Sequence, residues 1–298
     1  MESASDSEFL KKQIEAEAFR LGFCLFGVTG CDAPANYDIY ENWLSRKLNA
    51  GMKYLESERH RNLRKDPTLL FPGSKSIIIL GWPYQLTNPS PDNFSGLIAG
   101  YALQPDYHER LMPLLHHLVK FIEEKMGKEV NAGIFTDSAP ILERELGQRA
   151  GLGWIGRNSC LISPAAGSAF LLAEIFLSME LPPSQPFKND RCGTCHRCID
   201  ACPTHCIQAD RTIDSGKCIS YLTIENKGGI PSKLREPIGQ WLFGCDECQV
   251  VCPWNSHEGS ASSSHENTGI LELDILIKDL QLSEQEFEGM PPLFSIVR

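Results

Sequence analysis

The sequence predicts an α+β chain in which an α/β domain over residues 1–185 is followed by a ferredoxin-like domain over residues 186–256. Three observations carry this. Short apolar runs alternate with helical patterns in the first part; prolines mark a break at Pro182, Pro183 and Pro186; and nine of twelve cysteines crowd between Arg191 and Asn255. Residues 257–298 read as a short acidic C-terminal tail, with eight acidic and two basic residues.

The elements follow in order. Ser5-x-x-Glu8 reads as a capping box, and Leu10, Ile14, Ala18 and Leu21 recur at helical spacing before Gly22 stops the helix. Phe23–Val28 and Ser76–Leu80 read as buried strands, short and apolar. A long helix is expected over His108–Met126, with Leu111, Leu115, Leu118 and Ile122 inward, Gly127 ending it and Pro113 kinking its first turns. Val130–Phe135 reads as a strand and Pro140–Ala150 as a helix. Thr136-Asp137-Ser138 then falls in a strand-to-helix turn, where α/β folds commonly hold ligands. Ala169–Leu177 is a further strand, and Ile270–Leu282 a last amphipathic stretch.

Composition narrows the function. A hydrophobic content of 42% with 22% charged residues suits a soluble globular chain. The start is acidic and polar, without a basic and then apolar run, and no stretch is long enough to span a bilayer. A cytoplasmic protein with no membrane partner is expected. Twelve cysteines in such a compartment point to metal or redox chemistry rather than disulfides. The net charge of −10 argues against a general nucleic-acid binder, although residues 188–235 carry eight basic and five acidic side chains.

The cysteine spacing is the strongest signal. Cys192-x2-Cys195-x2-Cys198-x3-Cys202-Pro203 is the bacterial ferredoxin run, and Cys245-x2-Cys248-x3-Cys252-Pro253 partly mirrors it, with Cys218 upstream. In two-cluster ferredoxins the last cysteine of a run serves the other cluster. That rule gives Cys192, Cys195, Cys198 and Cys252 to one [4Fe–4S] cluster and Cys245, Cys248, Cys202 and Cys218 to a second. Structural zinc is the competing reading, which the repeated run disfavours. Cys24, Cys31, Cys160 and Cys206 read as small buried apolar residues.

Two superficial motifs fail on context. Gly151-Leu-Gly153-Trp-Ile-Gly156 matches a dinucleotide fingerprint, but a helix rather than a strand precedes it. Asp106-x-His108 opens a helix and lacks the glycine of a cobalt-ligating histidine motif.

Asp137-Ser-Ala-Pro-Ile-Leu-Glu-Arg144, Arg149-Ala-Gly-Leu-Gly-Trp-Ile-Gly-Arg157-Asn158, the ferredoxin run, Cys218-Ile-Ser220-Tyr-Leu-Thr223-Ile-Glu and Gly244-Cys-Asp246-Glu-Cys-Gln-Val-Val-Cys-Pro-Trp-Asn255 together resemble the epoxyqueuosine reductases. The likeness spans roughly residues 8–256. It implies a cobalamin-binding first domain, cobalamin fed by two [4Fe–4S] clusters, and reduction of epoxyqueuosine to queuosine at the wobble position of tRNA. By the same resemblance Asp137 is the proton donor. Arg64, Ala99, Asp137, Arg144, Leu161, Ser220, Cys245 and Asp246 contact cobalamin, which is held base-off without a histidine. Lys227 and Arg235 meet the tRNA anticodon stem-loop. The competing reading of Asp137 is a plain helix cap; as an acid it must be enclosed, because a helix N-terminus favours its anion. An unidentified electron donor and a monomeric state complete the expectation. Cys206 and the short basic-poor C-terminus depart from the resemblance. The rival readings are a reductive-dehalogenase-like enzyme and a ferredoxin-type electron carrier.

Overall fold

A computed structural model describes residues 4–88, 95–256 and 270–272. In chain order the elements are α1 Ala4–Arg20, β1 Leu25–Thr29, α2 Tyr37–Ser45, α3 Glu58–Lys65, β2 Ser76–Pro83, β3 Ser95–Ile98, α4 Tyr107–Met126, β4 Ala132–Phe135 and α5 Glu143–Arg149. There follow β5 Trp154–Ile155, β6 Leu161–Ile162, β7 Phe170–Leu177, α6 Arg197–Ala201, α7 Ile219–Ile224, α8 Ser232–Ile238, β8 Trp241–Phe243, α9 Glu247–Val250 and β9 Ile270–Glu272.

The main sheet has the order β1-β2-β7-β4, and every neighbouring pair is antiparallel. The chain is thus α+β in a strict sense. The turn at Asp137 is not the switch point of a parallel sheet, because no parallel pair exists in this sheet. Strand alternation gives the sheet two apolar faces. Ala173, Ile175 and Leu177 face α1 and α4, where Ile14, Ala18, Leu111, Leu115, Leu118 and Ile122 are all 0% exposed. Phe170, Leu172 and Phe176 face α5 through Leu146 and Ala150. Burial of this scale, at about 25 cal/mol per Å² of apolar surface, dominates the fold's stability.

Most helix ends agree with the sequence reading. Gly127 closes α4 in the left-handed conformation at φ 63°, with its amide bonded to Glu123. Asp106 caps the start of α4 by accepting from the His108 amide, as a plain helix opening should. Ser5, by contrast, lies inside α1 rather than capping it. α5 starts at Glu143 and not at Pro140, so Asp137 caps no helix.

A second sheet ties the chain together. β3 pairs in parallel with β8 and antiparallel with β9, in the order β8-β3-β9. This pairing crosses the limits expected at residues 185 and 256. Of the expected stretch Ile270–Leu282, only β9 falls within the described residues, and it is extended rather than helical.

Candidate redox and acid site

The cysteine lobe is built from two short helices that lie against each other. α6 carries Cys198 and α9 carries Cys248. Gly193, at φ 51°, turns the chain between Cys192 and Cys195, whose backbones share a 2.9 Å hydrogen bond. The electrostatic neighbours of the buried thiols fall into two groups. Burial pushes the Cys198 thiol up, and the neighbouring Cys192, Cys252 and Cys195 sulfurs add to the effect. Burial likewise raises Cys252, with Cys192 and Cys195 contributing. Cys248 is raised well above its usual range by burial, then by Cys160, Cys245, Cys218 and Cys202. Each group has the soft thiol chemistry that an iron–sulfur cube takes, while among the described residues no three candidate ligands stand together closely enough to hold a metal ion as they are.

Two of the lone cysteines are not isolated. Cys206 is buried, with its sulfur 3.4 Å from that of Cys202 and its thiol also bonded to Cys218. It draws Cys202 down to about 5 and Cys218 down to about 7. Cys160 lies beside Cys248, and burial pushes it up to about 11. Both are spare sulfurs at the margin of the second set.

The glycine-rich motif after α5 supports this lobe mechanically. β5 and β6 form a hairpin in which Trp154 stands opposite Ile162. Trp154 Nε1 donates to Cys192 Sγ at 3.4 Å, and its ring packs edge-on against Trp254 and stacks on Phe187. Asn158 Nδ2 donates to the Cys248 carbonyl at 3.2 Å, and Arg157 to that of Gly193 at 2.9 Å. The motif is a docking hairpin and not a nucleotide loop.

The acid site lies at the end of β4. Asp137 is exposed, in a left-handed conformation at φ 50°, and its amide donates to Glu143 Oε1 at 3.1 Å. Tyr107 donates its hydroxyl to Asp137 Oδ2 at 2.7 Å. The protein alone does not enclose this carboxylate, so enclosure would have to come from what binds over it. Burial and then the charge of Asp137 push Glu143 up to about 7.

The other expected contact residues are spread around this turn. Arg64 leans over the Tyr40 ring at 5.4 Å, hydrogen-bonds His60 Nδ1 at 3.0 Å, and lies in the field of Tyr54, Glu143 and Arg144. Arg144 donates to the Ser159 carbonyl at 2.7 Å rather than to Asp137. Ser220 and Cys245 are half-buried. Ala99 is buried where β3 ends, its amide bonded to the Phe243 carbonyl, and Leu161 packs into the α5 core against Gly147. Asp246 is only 1% exposed and turns its carboxylate onto the Gly100 and Thr87 amides. Lys227 and Arg235 are exposed, with Arg235 Nε donating to the Ile230 carbonyl at 3.0 Å.

Sequence reasoning passed over the tyrosines that join these pieces. The hydroxyl of Tyr101 is raised by burial and by the charges of both Asp137 and Asp246, so the acid turn and the second cysteine run face one space. Tyr54 feels Glu225, Arg64 and Asp137, which links the end of α7 to the same space. Asp137, Arg64, Glu225 and Asp246 are thus within electrostatic reach of the two tyrosines Tyr54 and Tyr101.

Comparison with known proteins gives a consistent picture. A family described as "4Fe-4S double cluster binding domain" matches residues 191–255, and one described as "Epoxyqueuosine reductase QueG, DUF1730" matches residues 64–138. The chain is 41% identical over 248 residues to the epoxyqueuosine reductase of Cyclobacterium marinum, covering 81% of this chain and 78% of that protein. Among solved structures it is similar to an epoxyqueuosine reductase with an epoxyqueuosine-modified tRNA-Tyr stem loop, with a TM-score of 0.81 and 29% identity, covering 95% of this chain and 75% of that one. It is also similar to the Bacillus subtilis enzyme with its catalytic aspartate loop swung out of the active site, with a TM-score of 0.78 and 27% identity over the same shares.

Proposed function

Because the chain belongs to the epoxyqueuosine reductase family, whose members are oxidoreductases, we propose that it reduces epoxyqueuosine to queuosine at the wobble position of tRNA, using two [4Fe–4S] clusters and cobalamin. The observation that carries this reading is that Asp137 and Asp246, the latter between Cys245 and Cys248, both act on the hydroxyl of Tyr101. A single-electron donor refills the clusters. A tRNA substrate places the enzyme in the cytoplasm, and no helix among the described residues is long and apolar enough to cross a membrane.

The residues divide the work. Cys192, Cys195, Cys198 and Cys252 hold one cluster; Cys245, Cys248, Cys202 and Cys218 hold the other. Cobalamin, when bound, supplies low-potential reducing power at the epoxide carbon. Arg64, Arg144, Ser220 and the Cys245–Asp246 backbone border its seat. Ala99 and Leu161, both buried, complete the expected contact set. Asp137 gives a proton to the departing oxygen, and Tyr107 orients it through the 2.7 Å hydrogen bond. The left-handed backbone at Asp137 projects the carboxylate out of the turn at some conformational cost, on the order of 1–3 kcal/mol. Lys227 and Arg235 are exposed on the α7–α8 side, where a phosphate backbone can reach them.

The test is mass spectrometry of tRNA from a reductase-deficient strain complemented with this chain. Queuosine should replace epoxyqueuosine, and Asp137→Ala should retain both cofactors while epoxyqueuosine persists. Persistence of epoxyqueuosine with the wild-type chain would overturn the assignment.

A further inference from the structure

Nine cysteines lie between Arg191 and Asn255, and the two ferredoxin sets account for eight of them. The ninth, Cys206, is more than an inert apolar filler. It is 4% exposed, in an apolar cluster with Ile199, Ile207 and Ile213 that also takes in Cys198, Cys202, Cys218 and Cys248. The chain folds back to bring it there. His205 adopts the left-handed conformation at φ 49°, and its amide bonds the Cys202 carbonyl at 3.1 Å. Beyond it, the Cys206 carbonyl accepts from the Asp214 amide at 2.8 Å, and Ile207 bridges to Ile213. Three groups then converge on one sulfur. Cys202 Sγ lies 3.4 Å from the Cys206 amide nitrogen, 3.4 Å from Cys206 Sγ and 3.7 Å from Thr204 Oγ1.

Between two free thiols either sulfur can be the donor. A Cys202 thiolate bound to iron carries no proton, so the hydrogen of the pair then sits on Cys206. We propose that the Cys206 thiol donates a hydrogen bond to the Cys202 thiolate of the second iron–sulfur cluster and so raises that cluster's reduction potential. This rests on the cluster assignment made above, but not on the tRNA reaction. Reduction adds one electron to the cube, and part of the added negative charge spreads onto its thiolates. A donor aimed at one of them therefore holds the reduced state more tightly than the oxidised one. The apolar enclosure keeps water from competing for that bond. Cys206 acts through Cys202, so it is a positioning residue and not a ligand.

The experiment is a redox titration of the reconstituted full chain, followed by electron paramagnetic resonance. It compares the wild type with Cys206→Ala and Cys206→Ser. The alanine variant keeps the backbone amide bond and subtracts only the thiol. It should retain about eight irons. One of its two clusters should become about tenfold harder to reduce, a fall of about 59 mV for a one-electron couple, while the other stays where it was. Cys206→Ser, whose hydroxyl donates from the same place, should recover much of that shift. Unchanged potentials, equal shifts at both clusters, or no recovery in the serine variant would overturn the hydrogen bond. Loss of about four irons in Cys206→Ala would make the residue a ligand and overturn it too. A wild type that takes up no second cluster would sink both the bond and the assignment beneath it. If the potentials behave as described while the wild type fails to reduce the tRNA, the assigned reaction falls and the bond stands.

Discussion

The carboxylate of Asp246 accepts a 2.7 Å hydrogen bond from the backbone amide of Gly100, and the same oxygen takes the Thr87 amide at 2.9 Å. One buried side chain thereby fixes the segment that follows β3 to the loop between two cysteines. Burial pushes this carboxyl up to about 6, although both amides pull the other way. Asp246→Ala would leave two buried donors unpaired and should cost roughly 2–5 kcal/mol. Asp246→Asn keeps an acceptor and should cost less. Urea midpoints of the three proteins decide this; equal midpoints would mean that the bonds contribute nothing.

Gly153 precedes the hairpin that braces the first thiol set. A Cβ there would lie 1.9 Å from the Ile162 carbonyl oxygen, which is backbone and cannot step aside. Gly153→Ala should therefore displace Trp154 from Cys192 and destabilise the protein by about 3 kcal/mol or more. Reduced iron content, together with altered near-ultraviolet dichroism from Trp154, is the expected signature.

The sharing of ligands between runs has a simple test. Cys192→Ser and Cys252→Ser lie far apart in sequence yet should remove the same cluster, leaving about four irons of about eight. Cys218→Ser should remove the other cluster and give a different paramagnetic spectrum in the reduced state. Distinct spectra for the first two variants would contradict the grouping.

Glu174 bears on stability, being 0% exposed on β7 with no hydrogen-bond partner for either carboxyl oxygen among the described residues. Its folded carboxyl keeps its proton well above 4.5, whereas the unfolded chain ionises near that value. A raised folded pKa means stability is fully present below about 4.5 and is lost as pH rises towards the folded pKa. Glu174→Leu removes this loss and should gain roughly 1–3 kcal/mol near pH 8, with little gain near pH 4. Denaturation at both pH values measures it. The variant should be more stable.

Salt dependence probes the RNA side. Lys227→Glu and Arg235→Glu should weaken binding of the stem-loop and lower the slope of log affinity against log salt by about one each. Unchanged slopes would place the RNA elsewhere.

What could be read from the sequence depended on how local the cause was. Leu111, Leu115, Leu118 and Ile122 mark a helix face by spacing alone, and all four are fully buried on α4. The cysteine runs specify their own turns, so a double-cluster domain was legible before any fold was known. β3 was not, because Ser95–Ile98 is short and gains its partners only from residues far along the chain. Glu174 was passed over inside a run read as uniformly apolar; a single acid in a buried strand is the signal that could have exposed it. The direction of Asp246 depends on amides contributed by Thr87 and Gly100, which no local pattern announces.

The parallel pairing of β3 with β8 makes the two halves of this protein inseparable. A nick in the proline-rich connection near Pro182–Pro186 should leave fragments that still migrate together under native conditions. For the same reason neither half is a portable part: grafting a foreign ferredoxin onto residues 1–185 would remove the strand against which Leu97 and Ile98 are laid.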